Sequence, residues 1–178
     1  MGKYIEQLEL LDEGSFRHLN GSLIAHLKGT ESILKSWGAD QMLRTAGLFH
    51  AAYGTAGFDE NIVALSQRKK IASIIGNQVE TPVYLYCSCN RSYVLPKIGG
   101  SDQIRFKDRF NDALFTLSTE QANLFCELTV ANELELVYAS EKFKNPHGRE
   151  LFELFEGMEI FLSFQAREAY KVALSKFA

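Results

Sequence analysis

Two helical stripes separated by only three residues, Gly38-Ala39-Asp40, constrain what this chain can fold into. The first stripe runs roughly from Asn20 to Trp37. Leu19, Leu23, His26, Thr30, Ile33 and Trp37 recur at alternating spacings of three and four, and Ile24, Leu27 and Leu34 widen the apolar face. The second covers Gln41 to about Tyr53, with Leu43, Ala46, Gly47 and His50 at i, i+3, i+4 and i+7. Gly38 stands where a helix ends, since glycine enters the left-handed conformation without penalty. Asp40 is placed to cap the helix that follows. So short a connection predicts an antiparallel helical hairpin.

The hairpin brings two histidines to one height. His26 lies 11 residues before Trp37, about 16 Å from the turn, and His50 lies 9 residues after Gln41, about 14 Å from it. Both face inward, a geometry that suits a metal or a phosphate. It also suits a buried His–His or His–Asn hydrogen bond, the commoner fate of an inward histidine.

Helical periodicity continues through most of the chain, and its 3 prolines, at 82, 96 and 146, interrupt it little. Gly54 and Gly57 break the second helix. A third is expected through IVALSQRKKIASII to Gly76, with Ser66 as a restart cap, and a fourth through VETPVYLYC with Pro82 near its first turn. Partial alternation around Asn111-Asp112 predicts a small β-hairpin near 103–117. Ser118 and Gln121 form a capping box for the next helix. The last helix is expected from near Gly148, with Leu151, Phe155, Met158, Leu162 and Gln165 as its stripe and His147 in an exposed loop before it. The expectation is a mainly α, single-domain chain over 1–178.

Composition limits the function. Of 178 residues 46% are apolar, enough for a substantial core, and the net charge is −3 with both signs interspersed. No basic stripe points to nucleic acid. No apolar run approaches a membrane span, the start lacks the features of a secretory signal, and Glu6 does not suit a myristoylation start. Three cysteines, two of them only two residues apart, suggest thiols in a reducing cytoplasm rather than a disulfide framework.

Other polar residues fall near the histidines. Arg68 follows the loop that leaves His50, and its guanidinium suits a phosphate or carboxylate. Tyr53, one turn after His50, is placed to line the same interior. Lys69 and Lys70 read as a solvated face, and Asp108-Arg109 as a local ion pair or turn. Gly-rich phosphate loops and nucleophile motifs are absent.

The layout GSLIAHLKGTESILKSWGADQMLRTAGLFHAAYGT resembles the HD superfamily of metal-dependent phosphohydrolases, in which a His on one helix is followed some two dozen residues later by a His-Asp pair. The stretch SQRKKIASIIGNQVETPVYL is similar to the corresponding part of the ppGpp-hydrolase domains of stringent-response enzymes. TVANELE resembles the segment that supplies their last Asp. The resemblance covers most of residues 17–140, and the chain also looks like a bacterial and fungal family marked by GLFHxxYGT.

The resemblance implies an HD-like helical bundle with His26 and His50 as metal ligands. It also implies departures. Ala51 stands where the bridging Asp would be, Asn132 where the last Asp would be, and Tyr53-Gly54 near the acidic pair of ppGpp hydrolases. Two imidazoles and an amide disfavour magnesium or manganese. Iron, zinc or nickel accept imidazole but need further ligands. Asn132, Glu135 and His18 are the candidates, with Glu127 a weaker one; if none reaches, the centre is metal-free. The implied function is binding of a small anionic molecule, phosphorylated ones included, by a metal-dependent hydrolase or oxygenase. The alternative is an inactive pseudoenzyme that binds a ligand or a protein, and a third reading is metal-free acid–base catalysis by His50.

Overall fold

The computed structural model describes residues 2–13, 22–57 and 61–178. Among them the chain is mainly helical, with nine α-helices and one two-stranded antiparallel hairpin. No described helix is long and apolar enough to cross a membrane. The chain divides into two compact units, Met1–Cys89 and Asn90–Ala178.

The first unit holds α1 (Gly2–Glu13), α2 (Ser22–Ser36), α3 (Gln41–Phe49), α4 (Arg68–Ile75) and α5 (Asn77–Ser88). The expected α2–α3 hairpin forms. Gly38 has φ 79°; its N–H bonds to the Lys35 carbonyl, and the Ala39 N–H reaches back to Leu34, 3.0 Å away. This glycine-centred pattern satisfies two of the last carbonyls of α2. Asp40 then caps α3, accepting from the Leu43 N–H at 2.8 Å. The two helices approach closely at Gly47, where a Cβ would lie 2.6 Å from Leu34 Cδ1. Arg44 on α3 pairs with Glu31 on α2 at 2.6 Å. The buried line of α2 runs through Leu23, Leu27, Thr30 and Leu34, which leaves His26 and Ile33 on its shoulder.

Helix α3 ends sooner than its periodicity suggests. After Phe49 the chain winds in three-residue turns, Ala52 N–H to Phe49 and Gly54 N–H to Ala51. The Ala52 carbonyl then accepts from both Ile62 and Val63. Helix α4 starts at Arg68, after a 3-10 turn at Leu65–Gln67, instead of at Ile62. Ser66 lies in that turn and caps nothing. Gly76, at φ 88°, lets α5 begin at once, so Pro82 falls inside the helix rather than in its first turn.

The second unit holds α6 (Arg91–Val94), β1 (Arg105–Lys107), β2 (Leu114–Thr116), α7 (Thr119–Ala139), α8 (Glu141–Met158) and α9 (Phe164–Ala173). The hairpin pairs Arg105 with Thr116 and Phe106 with Phe115. Its tip carries Asp112 at φ 60° and a Lys107–Asp112 ion pair at 3.0 Å. Asp108 is buried and its carboxylate accepts from the Phe110 N–H at 2.8 Å, a bond within the turn. The Ser118–Gln121 capping box opens α7 as expected.

Helix α8 departs from expectation. Ser140 caps it, accepting from the Phe143 N–H, so Pro146, His147 and Gly148 lie within the helix. His147 is exposed, but its ring lies against Phe143 at 4.8 Å. Gly148 is required by packing: a Cβ there would overlap the Phe177 ring. The stripe breaks after Met158 into a 3-10 turn, which places Leu162 outside a helix and Gln165 exposed on α9.

Candidate functional site

The His26 and His50 rings meet. Their centroids lie 5.2 Å apart at an interplanar angle of 80°. His50 caps the C-terminus of α3 in helical conformation. Its Nδ1 faces the Gly47 carbonyl at 2.7 Å. A carbonyl only accepts, so Nδ1 carries the hydrogen and Nε2 of the neutral ring carries the lone pair. Tyr86 of α5 stands edge-on to the ring at 5.4 Å. The Cys87 thiol donates to the His50 carbonyl at 3.0 Å. The imidazole is thus oriented from its own helix and from α5. His50 is 2% exposed and His26 partly exposed.

Such a separation has a chemical meaning. An ion about 2.1 Å from one nitrogen of each ring lies about 3.2 Å from each centroid. At a tetrahedral angle of about 109°, two such rings are about 5.2 Å apart. A histidine donating its other nitrogen to a backbone carbonyl is also the usual posture of a ligating imidazole. The same separation fits a direct ring-to-ring hydrogen bond of about 2.9 Å. Ala51, 3% exposed, brings no carboxylate next to His50, which disfavours magnesium. Among the described residues, no group of three or more His, Cys, Asp or Glu is placed to hold a metal ion.

Arg68 and Tyr53 are brought together, by Glu80 of α5. Arg68 grips this buried carboxylate with two bonds, Nε at 2.7 Å and Nη2 at 2.8 Å. The Tyr53 hydroxyl donates to Oε1 at 2.9 Å. The guanidinium lies over the Tyr84 ring, 3.6 Å from its centroid. The fork expected to meet a ligand is therefore engaged by the chain's own carboxylate, although the side chain stays 40% exposed. Burial, and then the Glu80 hydrogen bond, push the Tyr53 phenol well above its ordinary range. Sequence reasoning gave no role to Glu80 or Tyr86, although Glu80 lies within the stretch SQRKKIASIIGNQVETPVYL. The signal for Glu80 is its spacing: with Val83 and Cys87 it falls on the buried line of α5, where a carboxylate requires partners.

The remaining candidates belong to the second unit or lie outside the described residues. Asn132 is buried on α7 and donates to Glu133 at 3.1 Å. Glu133 also pairs with Arg91 at 2.9 Å. Glu135, one turn on from Asn132, is partly exposed. Glu127 is engaged at both oxygens, by the Ser163 N–H at 3.0 Å and its hydroxyl at 2.6 Å, which tie α9 to α7. His18 lies outside the described residues. The three cysteines are buried thiols.

No curated protein and no solved structure matches the chain. A family model described as a domain of unknown function (DUF6817) matches residues 7–91, the stretch that contains His26, His50, Tyr53, Arg68 and Glu80.

Proposed function

We propose that this protein binds a small anionic molecule, phosphorylated ones included, at a centre built on His26 and His50 that holds one iron, zinc or nickel ion. The observation that carries this reading is the 5.2 Å ring separation together with the Nδ1–Gly47 contact that leaves Nε2 as the basic nitrogen. Two neutral imidazoles leave the ion's charge unbalanced, so an anionic ligand is the natural complement. When bound, such an ion supplies Lewis-acid or oxygen chemistry, which makes the protein a hydrolase or an oxygenase of HD-like type. The net charge of −3 and interspersed signs favour a small molecule over nucleic acid. The buried thiols favour a reducing, cytoplasmic setting.

Metal analysis tests the proposal. The purified protein should carry close to one transition-metal ion per chain, and His26→Ala and His50→Ala should each lose it while still unfolding cooperatively. Wild-type protein that stays metal-free after incubation with Fe(II), Zn(II) and Ni(II) ends the metal reading.

The second reading is a binding module without turnover, in which the two rings share a direct hydrogen bond. Ala51 beside His50 favours it, since the bridging carboxylate of the HD pattern is missing. A ligand that raises the melting temperature of metal-free protein without being converted supports this reading, and turnover abolished by His26→Ala refutes it.

A further inference from the structure

The β-hairpin of the second unit has one occupied edge and one open edge. The Leu117 N–H donates to the Ile104 carbonyl at 3.0 Å, and the Asp108 N–H to the Ala113 carbonyl at 2.9 Å. The register pairs Arg105 with Thr116, Phe106 with Phe115 and Lys107 with Leu114. Hydrogen-bonded and non-hydrogen-bonded pairs alternate along an antiparallel ladder, so these bonds fix where each backbone group points. Arg105 and Lys107 turn their N–H and C=O away from β2, and there the Lys107 carbonyl accepts from the Asn90 N–H at 3.0 Å. Leu114 and Thr116 turn theirs away from β1. Among the described residues nothing hydrogen-bonds to those four groups.

Strand β2 carries no proline, charge or bulge of the kind that blunts a sheet edge. All three of its residues are exposed, Leu114 by 55% and Phe115 by 37%. Phe115 is also the open end of an aromatic row. Its ring lies 5.2 Å from buried Phe106, which stands edge-on to Phe125 of α7 at 5.8 Å.

The strand that fits this edge is β2 of a second copy. A two-fold axis at Phe115 sets Leu114 opposite the copy's Thr116, and Thr116 opposite its Leu114. The outward N–H and C=O groups of both chains then meet in two hydrogen-bonded pairs. The two Phe115 side chains face each other as a non-hydrogen-bonded pair, where cross-strand contacts are closest, and carry the Phe125–Phe106–Phe115 row across the axis. The charges agree with this order. Arg105 and Lys107 lie on the outer strands, so no like charges stand directly opposite each other. The antiparallel direction sets the start of α7, with exposed Glu120, beside the copy's hairpin tip, which carries Arg109.

We propose that two copies of this chain pair through their β2 edges, antiparallel about Phe115, into one continuous four-stranded sheet. Strands this short bury less than the roughly 1,200 Å² of a stable complex, so the dimer exchanges with monomer.

Sedimentation of the full chain from about 10 µM to about 1 mM tests it. The wild type should pass from monomer to dimer over that range. Leu114→Lys places a charge on the edge, and Thr116→Pro removes an outward N–H while sparing the bonds to β1. Each should weaken association at least about tenfold while unfolding as cooperatively as wild type. If the proline variant misfolds, the lysine variant carries the test. Phe115→Cys should cross-link to itself under mild oxidation faster than the exposed control Lys69→Cys, because the paired Cα atoms lie about 4.5 Å apart, within disulfide reach. The chain's own three thiols are buried and do not compete. Wild type that stays monomeric throughout overturns the proposal and leaves the edge to a strand of another protein. Dimers that persist in Leu114→Lys, or a Phe115→Cys variant that cross-links no faster than the control, overturn it as well and place any association on a different surface.

Discussion

Glu80 shows how much one side chain organises in the first unit. Its carboxylate collects a phenol and both arms of a guanidinium, from the turn after α3 and the start of α4. Tyr53 depends on it in turn. The phenol is kept protonated by burial and by Glu80, whereas in the unfolded chain it ionises near pH 10. Above about pH 10 the unfolded state therefore holds fewer protons than the native one, and stability falls as pH rises. Tyr53→Phe removes this contribution. The variant should lose about 1–2 kcal/mol at pH 7 through the missing hydrogen bond, and its stability should fall less steeply than wild type between pH 9 and 11. Urea unfolding across that range measures both, and parallel curves would show that Tyr53 does not set the alkaline slope. Tyr170, whose phenol is also raised by burial and by Glu159, contributes the same slope to both proteins.

At the scale of elements, local chemistry was legible and long-range commitments were not. Gly38, Asp40 and Ser118 act on their immediate neighbours, and each does what its residue type demands. The heights of His26 and His50 follow from counting along two helices, and the rings do meet. The errors arise where a distant or competing partner decides. The chain after α3 is held by a backbone contact, the Ala52 carbonyl accepting from Ile62 and Val63, and α4 starts only at Arg68. Helix α8 runs through Pro146 and Gly148 because Ser140 caps it early and Phe177 covers the glycine. Arg68 has an intramolecular partner because Glu80, 12 residues on, faces back toward it.

The glycines of the second unit show the same dependence. Gly99 has φ 94°, and a Cβ there would lie 2.9 Å from the Cα of Gly157, backbone that cannot yield as a side chain can. Gly99→Ala should cost about 2–4 kcal/mol, combining left-handed strain with overpacking against α8. Chemical denaturation measures it, and a loss under about 0.5 kcal/mol would mean that this crossing is looser than described.

Across the whole molecule, the candidate groups separate by unit. His26, His50, Tyr53 and Arg68 belong to residues 1–89, while Asn132, Glu135 and Glu127 belong to residues 90–178. Sequence resemblance alone placed Asn132 and Glu135 beside the histidines, because residue spacing carries no information about how distant helices assemble. What the first unit supplies by itself is two imidazoles and no carboxylate at position 51. With no carboxylate there to balance an ion, an anionic ligand is proposed alongside it. The most direct measurement is anomalous scattering from crystals of the zinc-loaded protein, collected on both sides of the zinc absorption edge. The proposed centre predicts a peak about 2.0–2.1 Å from a nitrogen of each of the two rings. A map without a peak there, with the rings joined instead by an N–H···N bond, would contradict it.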